Sequence, residues 1–204
     1  MATPKEVVVF RAKDGRVPFE EWLDDLNDKK AMARVLARLA RVRQGNLGDC
    51  KSVGEGVSEL RVDYGPGYRV YFGQKGQTLV VLLCGGDKRT QDRDIRLAKQ
   101  YWREFKTNQF MKPVSYKNIL REKLDDPEQA AEYLTACYEE GPEVFLVGLR
   151  DVVEAQGGVA RASELSKLNR ESLYRLFSRE GNPRLSSLTS VLSALGLKVT
   201  FEAA

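Results

Sequence analysis

Residues 57–84 read VSELRVDYGPGYRVYFGQKGQTLVVLLC, and this stretch decides the fold of the first half of the chain. Val57–Asp63 and Tyr68–Phe72 alternate apolar and polar residues, which is the pattern of half-buried β-strands. Gly65-Pro66-Gly67 between them is a strong turn signal. Thr78–Cys84 is continuously apolar, as a central strand is. The stretch therefore predicts three consecutive strands of one antiparallel sheet.

One further strand and three helices are predicted around these strands. Glu6–Arg11 contains a β-branched run that indicates a first strand. Two helices follow, one opened by Pro18 and one capped by Asn27 or Asp28, and a last helix covers about Asp92–Phe105. The order β-α-α-β-β-β-α predicts an α+β fold, with helices packed on one face of an antiparallel sheet.

The second half of the chain reads as helical. Lys106–Lys117 is polar and irregular and contains Pro113, so we predict a first domain over residues 1–108, a linker over 109–116 and a second domain over 117–204. The second domain is expected to be all-α with a short final strand. Its elements are predicted at Pro127–Glu140, Pro142–Ala155, Arg161–Lys167, Arg170–Arg179 and Leu185–Leu195, followed by the strand Leu197–Phe201.

The composition excludes several kinds of site. The chain contains no histidine, which excludes His-based acid/base catalysis, His-containing triads and nearly all zinc enzymes. Cys50, Cys84 and Cys137 are odd in number and lack metal-binding spacing, so they fit reduced thiols. No stretch approaches the roughly 20 apolar residues that a membrane helix needs. We therefore expect a cytoplasmic protein that uses no metal, cofactor or membrane.

Charge is distributed unevenly along the chain. Residues 1–108 hold 21 lysines and arginines against 15 acidic residues, residues 109–168 hold 7 against 11, and residues 169–204 hold 5 against 3. One interpretation is that the acidic middle lies against the basic front. The other is that the difference is an ordinary one between two domains, and the sequence favours neither.

The strand pattern predicts one basic patch. With Tyr64 opposite Tyr68, the hairpin joins residues of its polar face, Asp63 with Arg69 and Arg61 with Tyr71. Lys88 and Arg89 leave the neighbouring strand close by, so the basic residues are expected to converge beside Tyr71. Such a cluster binds phosphate, tyrosine adds a stacking surface for a base, and Lys88 is a candidate proton acceptor. The alternative is a solvated basic face with Asp63 and Arg69 as a surface pair.

Three motifs in this region resemble the RelE/HigB toxin superfamily. They are Glu59-Leu60-Arg61, Gly65–Phe72 and Leu83–Ile95, and the nearest likeness is to the phage-gp49-like addiction module killer branch. The resemblance covers about residues 5–106. It implies a metal-free endoribonuclease that cleaves mRNA, usually on the ribosome.

The resemblance also implies roles for single residues. In RelE-type toxins, the arginine of a Tyr-Arg strand and a Lys-Arg pair after the last strand bind the phosphate, which carries over to Arg69, Lys88 and Arg89. RelE places a tyrosine early in the last helix where this chain has Ile95, so Lys88, Tyr68, Tyr71 and Lys51 remain open as acid or base. The expected catalytic residues are Arg61, Tyr68, Arg69, Tyr71, Lys88 and Arg89, with Lys51 and Gln91 binding RNA. The implied mechanism is attack by the RNA 2′-hydroxyl on its own phosphate, with Arg69 and Arg89 offsetting charge on the phosphorane.

Residues 161–178 have the spacing of a helix-turn-helix. Four leucines are expected to form its core, and Asn169 is expected to cap the second helix. The leucines are Leu165, Leu168, Leu173 and Leu176. The expected DNA contacts are Asn169, Arg170, Glu171, Ser172, Tyr174, Arg175, Arg179 and Arg184. The alternative is a plain helical hairpin.

Two stretches here, Asn169–Arg175 and Gly181–Leu185, resemble the HigA-like addiction module antidote family. The resemblance covers about residues 113–204. It implies a helix-turn-helix antitoxin of the Xre type, which neutralises its partner toxin and represses their shared operon as a dimer. We expect Leu197–Phe201 to pair with its copy across the two-fold axis of that dimer.

These observations give one main hypothesis and two alternatives. The main one is a toxin and its antitoxin in one chain: an mRNA endoribonuclease acting on the ribosome, bound and silenced by the C-terminal half, which also binds operator DNA. One alternative is a DNA-binding regulator with an inactive toxin-like docking domain. Another is a ParE-like poison of a topoisomerase. The basic patch favours the first, because ParE-type action needs no phosphate-cleaving site.

Overall fold

The computed structural model of the chain describes residues 3–108, 112–178 and 181–200. The chain divides between Ile119 and Leu120 into two compact units. The first contains a six-stranded sheet and the second is helical in its described residues, so the α+β class is confirmed. Among the described helices, none is both long enough and apolar enough to cross a bilayer.

The first unit contains the elements predicted for it and two strands more. Its elements in chain order are β1 (Glu6–Val9), α1 (Pro18–Asp24), α2 (Lys29–Arg43), β2 (Cys50–Gly54), β3 (Val57–Val62), β4 (Tyr68–Lys75), β5 (Leu79–Asp87), α3 (Gln91–Thr107) and β6 (Val114–Ser115). The next helix, α4 (Tyr116–Leu124), spans the boundary between the units. Strands β2 and β6 were not predicted, and β6 lies where the sequence suggested a linker.

The sheet has the order β2-β3-β4-β5-β1-β6. Strand β1 runs parallel to β5, with Val7 opposite Val80, so the prediction of a purely antiparallel sheet is wrong. The reason is the pair of helices that follows β1, because a long connection lets two strands pair in the same direction. Strand β5 lies between β4 and β1, which explains its unbroken apolar run.

Helices cover both faces of the sheet, which corrects the prediction that they share one. Gly85 and Gly86 are consecutive in β5 and therefore face opposite sides. A side chain on Gly85 would collide with Trp22 of α1, whereas one on Gly86 would collide with Asp94 of α3. Helix α1 thus packs on one face and α3 on the other, and both approach so closely that these two positions require glycine.

The core beneath α3 combines aliphatic strand residues with two large rings. Tyr71 of β4 and Trp102 of α3 are buried there together with Val57, Val81 and Leu83. Helix α2 begins with a side-chain cap. Asp28 precedes the helix, and its Oδ1 accepts the backbone N–H of Lys30 at 2.9 Å. This confirms one of the two predicted caps.

The second unit continues from α4 with five helices in its described residues. They are α5 (Pro127–Glu140), α6 (Pro142–Ala155), α7 (Gly158–Ser166), α8 (Arg170–Leu176) and α9 (Leu185–Ala194). Helices α5 and α6 pack against each other, and the buried Tyr133 hydroxyl donates to Asp151 Oδ2 at 2.9 Å.

The predicted final strand is not formed over Leu197–Thr200, and Phe201 lies outside the described residues. A strand requires a partner backbone, and the described part of the second unit offers only helices.

Candidate functional site

The hairpin between β3 and β4 has a register two residues away from the predicted one. Val62 lies opposite Tyr68, Arg61 opposite Arg69 and Glu59 opposite Tyr71. The connecting loop is therefore longer than expected, and Tyr64 lies outside the ladder with its ring beneath the Arg34 guanidinium, 4.9 Å away. Because side chains alternate with a period of two, a shift of two residues leaves each residue on its predicted face.

A buried carboxylate lies at the centre of this face. The Glu59 side chain is 1% exposed and is approached by three donors. Arg61 Nε lies 2.8 Å from Oε1, and Gln91 Nε2 lies 2.9 Å from Oε2. Arg69 Nε lies 3.5 Å from Oε2. We call these four residues the Glu59 cluster.

The arginines of the Glu59 cluster are held differently. Arg69 is 11% exposed, and its Nη1 also donates to the Gly67 carbonyl at 2.9 Å. Arg61 is 37% exposed, and its Nη1 lies 3.8 Å from Asp49 Oδ1. The hydrogen bond to Glu59 raises the pKa of Arg61, so this guanidinium is always charged. The cluster therefore presents fixed positive charge at a partly open surface.

Glu59 was missing from the predicted site, although it belongs to the Glu59-Leu60-Arg61 motif. Strand alternation places it on the polar face with Arg61, but alternation does not distinguish a buried carboxylate from an exposed one. The available signal was its place two residues before Arg61 in one strand; Lys51, which lies opposite Glu59 in the sheet, belongs to β2, a strand that was not predicted. Lys51 itself is exposed beside the cluster.

Tyr71 lies below the surface, which corrects its predicted role as a stacking platform. It is completely buried in the core beneath α3. Burial, with Glu59 and Asp94 nearby, raises the pKa of Tyr71 far above its usual range. Its hydroxyl has no hydrogen-bond partner among the described residues. A phenol in this position stays protonated and does not reach an RNA base.

The segment after β5 carries the predicted Lys-Arg pair. Arg89 is 81% exposed and folds back on Asp87, with Nη2 2.8 Å from Oδ2. This hydrogen bond lowers the pKa of Asp87. Lys88 is exposed, and its Cβ lies 4.0 Å from the position that a Cβ on Gly67 would take. Lys88 is therefore next to the loop whose carbonyl holds Arg69.

A separate cleft of 560 Å³ lies at the end of β5, between α1 and α3. Tyr68 lines it, with its ring 6.3 Å from that of Trp22. The lining combines basic and aromatic side chains with four carboxylates: Arg16, Arg89, Arg93, Trp22, Tyr68 and Tyr101, with Glu21, Asp25, Asp87 and Asp94. The sequence did not predict this cleft, because α1 and α3 are far apart in the chain.

The predicted catalytic residues thus do not converge on one patch. Arg61 and Arg69 are joined by Glu59, with Lys88 beside them, whereas Tyr68 and Arg89 line the cleft and Tyr71 is buried. No group of three or more cysteine, aspartate or glutamate residues in the described part of the chain is arranged to hold a metal ion.

The region predicted as a helix-turn-helix has the predicted cap and a different core. Asn169 Oδ1 accepts the backbone N–H of Ser172 at 2.7 Å and so starts α8. Leu173 and Leu176 are buried, as predicted. Leu165, however, is 53% exposed, and its predicted core role is wrong. Ala162, one turn earlier in α7, takes the buried position instead.

The residues predicted to read DNA lie largely on the open face of α8. Arg170, Glu171, Tyr174 and Arg175 are exposed, and Arg175 Nη2 lies 3.3 Å from Glu171 Oε1. Ser172 is half-buried, with its backbone N–H bound by the Asn169 cap. Arg184 is exposed at the start of α9, and Arg179 lies outside the described residues.

Comparisons with known proteins divide the chain in the same way. Residues 21–103 match the family "Phage derived protein Gp49-like (DUF891)", and residues 116–203 match "Probable addiction module antidote protein". Over 81 residues the chain is 53% identical to an uncharacterized protein of Haemophilus influenzae (strain ATCC 51907 / DSM 11121 / KW20 / Rd). The matched region covers 40% of this chain and 82% of that protein. No solved structure matches the chain.

Proposed function

Because the chain belongs to the addiction-module proteins, with a Gp49-like toxin-type domain followed by an antidote domain, we propose that it is a toxin and its antitoxin in one polypeptide. The toxin half is a RelE/HigB-like endoribonuclease that cleaves mRNA on the ribosome without a metal. The antidote half is a HigA-like, Xre-type protein that binds and silences it. The observation that carries the ribonuclease proposal is the Glu59 cluster, where two arginines are held at a partly open surface.

The chemistry proposed for the toxin half needs only the RNA and the side chains already described. The 2′-oxygen attacks the neighbouring phosphorus, a 2′-O–P bond forms, and the bond to the 5′-oxygen breaks. The products are a 2′,3′-cyclic phosphate and a 5′-hydroxyl. Arg61 and Arg69 stabilise the extra negative charge on the phosphorane. The proton taken from the 2′-hydroxyl and the one given to the 5′-oxygen pass through groups such as Lys51 and Lys88, which flank the cluster.

The charge distribution supports silencing by the antidote half. Residues 109–168 carry more acidic than basic residues, whereas residues 1–108 carry more basic than acidic ones. An acidic surface competes with RNA phosphates for the same arginines and lysines. We therefore propose that the antidote half neutralises the toxin half by occupying its RNA-binding face.

Mapping RNA ends distinguishes this function from its alternatives. We expect residues 1–119, produced alone in a bacterium, to generate new 5′-hydroxyl ends within translated mRNAs. The fragment ends at Ile119 because β6 pairs with β1, Val9 lying opposite Val114. DNA damage without RNA ends would instead indicate a topoisomerase poison. The absence of both would leave a regulator with an inactive docking domain.

The second proposed activity is repression of the operon by the antidote half. The exposed residues on α8 suit contacts with base edges in the major groove, and Arg184 suits a phosphate contact. We propose that the protein binds an inverted repeat as a homodimer. The pairing of Leu197–Phe201 with its copy across the two-fold axis stays a prediction.

We expect Arg170→Ala and Arg175→Ala to weaken binding to the DNA upstream of the coding region. A bidentate arginine–guanine contact is worth about 1–3 kcal/mol, and its loss relaxes specificity at one base pair. Arg184→Ala should instead weaken binding to all sequences alike. Fluorescence titrations at two salt concentrations measure both effects. Arg150→Ala, an exposed cation on α6, is the control. Unchanged affinity in both α8 variants would show that α8 is not the recognition helix.

A further inference from the structure

The Glu59 carboxylate is a buried charge that takes no part in the proposed mechanism. At 1% exposure it does not reach an RNA bound at the surface. Burying a carboxylate costs free energy unless charged partners and hydrogen bonds compensate. Glu59 has such partners, and two of them, Arg61 and Arg69, are the residues proposed to bind phosphate.

The contacts made by Glu59 restrict how the two arginines are oriented. Arg61 Nε donates a hydrogen bond to Oε1 at 2.8 Å, whereas Arg69 Nε lies 3.5 Å from Oε2 in an ion pair without a hydrogen bond. A guanidinium is a rigid plane with five N–H donors, so engaging Nε fixes the plane and leaves terminal nitrogens for another partner. Arg69 is held by its Nη1, which donates to the Gly67 carbonyl at 2.9 Å, and by the charge of Glu59 beside its Nε.

Gln91 completes the arrangement by fixing the carboxylate itself. Its Nε2 donates to Glu59 Oε2 at 2.9 Å. Gln91 is the first residue of α3, so the orientation of the carboxylate is tied to the position of that helix on the sheet. Oε1 accepts from Arg61 and Oε2 from Gln91, so both oxygens are already bound by side chains.

We propose that Glu59 is a positioning residue that holds Arg61 and Arg69 as a clamp for the phosphodiester of RNA. This inference rests on the proposed ribonuclease function, since it names what the clamp is for. Glu59 acts through the arginines and does not exchange a proton with the substrate, because its oxygens are occupied and buried. A role limited to neutralising two cations would require only a negative charge at this place, whereas positioning requires this length of side chain.

Glu59→Asp in the full chain separates the two roles, because it keeps the charge and shortens the side chain by one methylene. The first readout is the order of the Arg61 and Arg69 Nε–H groups, measured by ¹⁵N NMR relaxation. The second is the affinity for inorganic phosphate, followed through the same signals. The matched control is Glu55→Asp. It shortens an exposed carboxylate in the turn between β2 and β3, where Glu55 Oε1 lies 3.5 Å from Lys99 Nζ.

We expect Glu59→Asp to lower the order of the Arg61 Nε–H group and to weaken phosphate binding about fivefold, on the order of one lost hydrogen bond. Glu55→Asp should leave both unchanged. Wild-type order and wild-type affinity in Glu59→Asp would overturn the proposal. Phosphate that moves neither arginine signal of the full chain leaves the decision to the order readout, because the antidote half is proposed to occupy the same face.

Should Glu59→Asp not fold, Gln91→Ala decides the question, because it removes a donor to the carboxylate and leaves every charge in place. We expect it to lower arginine order and phosphate affinity in the same direction, by about twofold, the lower range for one hydrogen bond. Unchanged values would overturn the proposal. Neither readout requires RNA cleavage, so an inactive toxin half would refute the proposed function while leaving this test intact.

Discussion

Residues 1–119 produced alone are expected to stop the growth of a bacterium, whereas the full chain at the same level leaves growth unchanged. The reason is the proposed silencing: without residues 120–204, no antidote half competes with RNA for the basic face of the toxin half. Colony counts after induction measure the effect. Supplying residues 120–204 from a second gene should restore growth, because the proposed inhibition is non-covalent binding.

The matched control is the same fragment carrying Arg69→Ala, which should be harmless at an equal protein level. Growth arrest by this control would point to general toxicity of an unfolded fragment. Equal toxicity of the fragment and the full chain would contradict the proposed silencing by the antidote half.

Arg69→Ala and Lys88→Ala are each expected to lower RNA cleavage by the fragment by about a hundredfold or more, the usual scale for losing one transition-state donor. Arg69 is the more deeply placed arginine of the Glu59 cluster, and Lys88 lies beside its loop. Binding to ribosomes should be affected less than cleavage, because other basic residues still contact phosphates. Single-turnover cleavage of a defined mRNA on ribosomes measures the rate.

Two controls separate chemistry from net charge. Arg96→Ala on α3 and Lys75→Ala at the end of β4 each remove one exposed cation of the same unit, and neither should change the cleavage rate by more than a small factor. If both Arg69→Ala and Lys88→Ala cut RNA at the parental rate, the proposed active site is wrong. Retained helical circular dichroism in all four variants excludes unfolding as the cause.

The elements of the first unit were largely predictable because their periodicity is strong. Strands β3, β4 and β5 fall where alternation and the apolar run predict them. The register of their hairpin was not predictable, because the Gly65-Pro66-Gly67 signal is compatible with loops of different length. The longer loop is shown by the ladder, in which Val62 lies opposite Tyr68, and by the packing of Tyr64 beneath Arg34. The parallel pairing of β1 with β5 is a long-range contact that leaves no local signal.

The candidate site was predicted less completely than the fold. Alternation placed Arg61 and Arg69 on one face, and the structure brings them together. The role of Glu59 depends on its burial, which follows from the packing of α3 and not from the residues next to it. The burial of Tyr71 was likewise not predictable: alternation placed this tyrosine on the polar face, and the packing of α3 buries it in the core. Leu165 was assigned to a core that Ala162 occupies, because helical spacing alone does not give the rotation of α7.

The edge strand β6 affects where the proposed toxin and antidote halves can be separated by a cut in the chain. One translated chain supplies toxin and antidote in equal numbers, so unequal synthesis cannot release the toxin half. If the proposed silencing holds, a protease that separates the two halves would release the toxin half, and the place of the cut matters. A cut before Val114 leaves β6 attached to the antidote half while its residues still pair with β1 of the toxin half, Val8 lying opposite Ser115. A cut after Ser115 leaves β6 with the toxin half, so the smallest complete toxin ends beyond this strand.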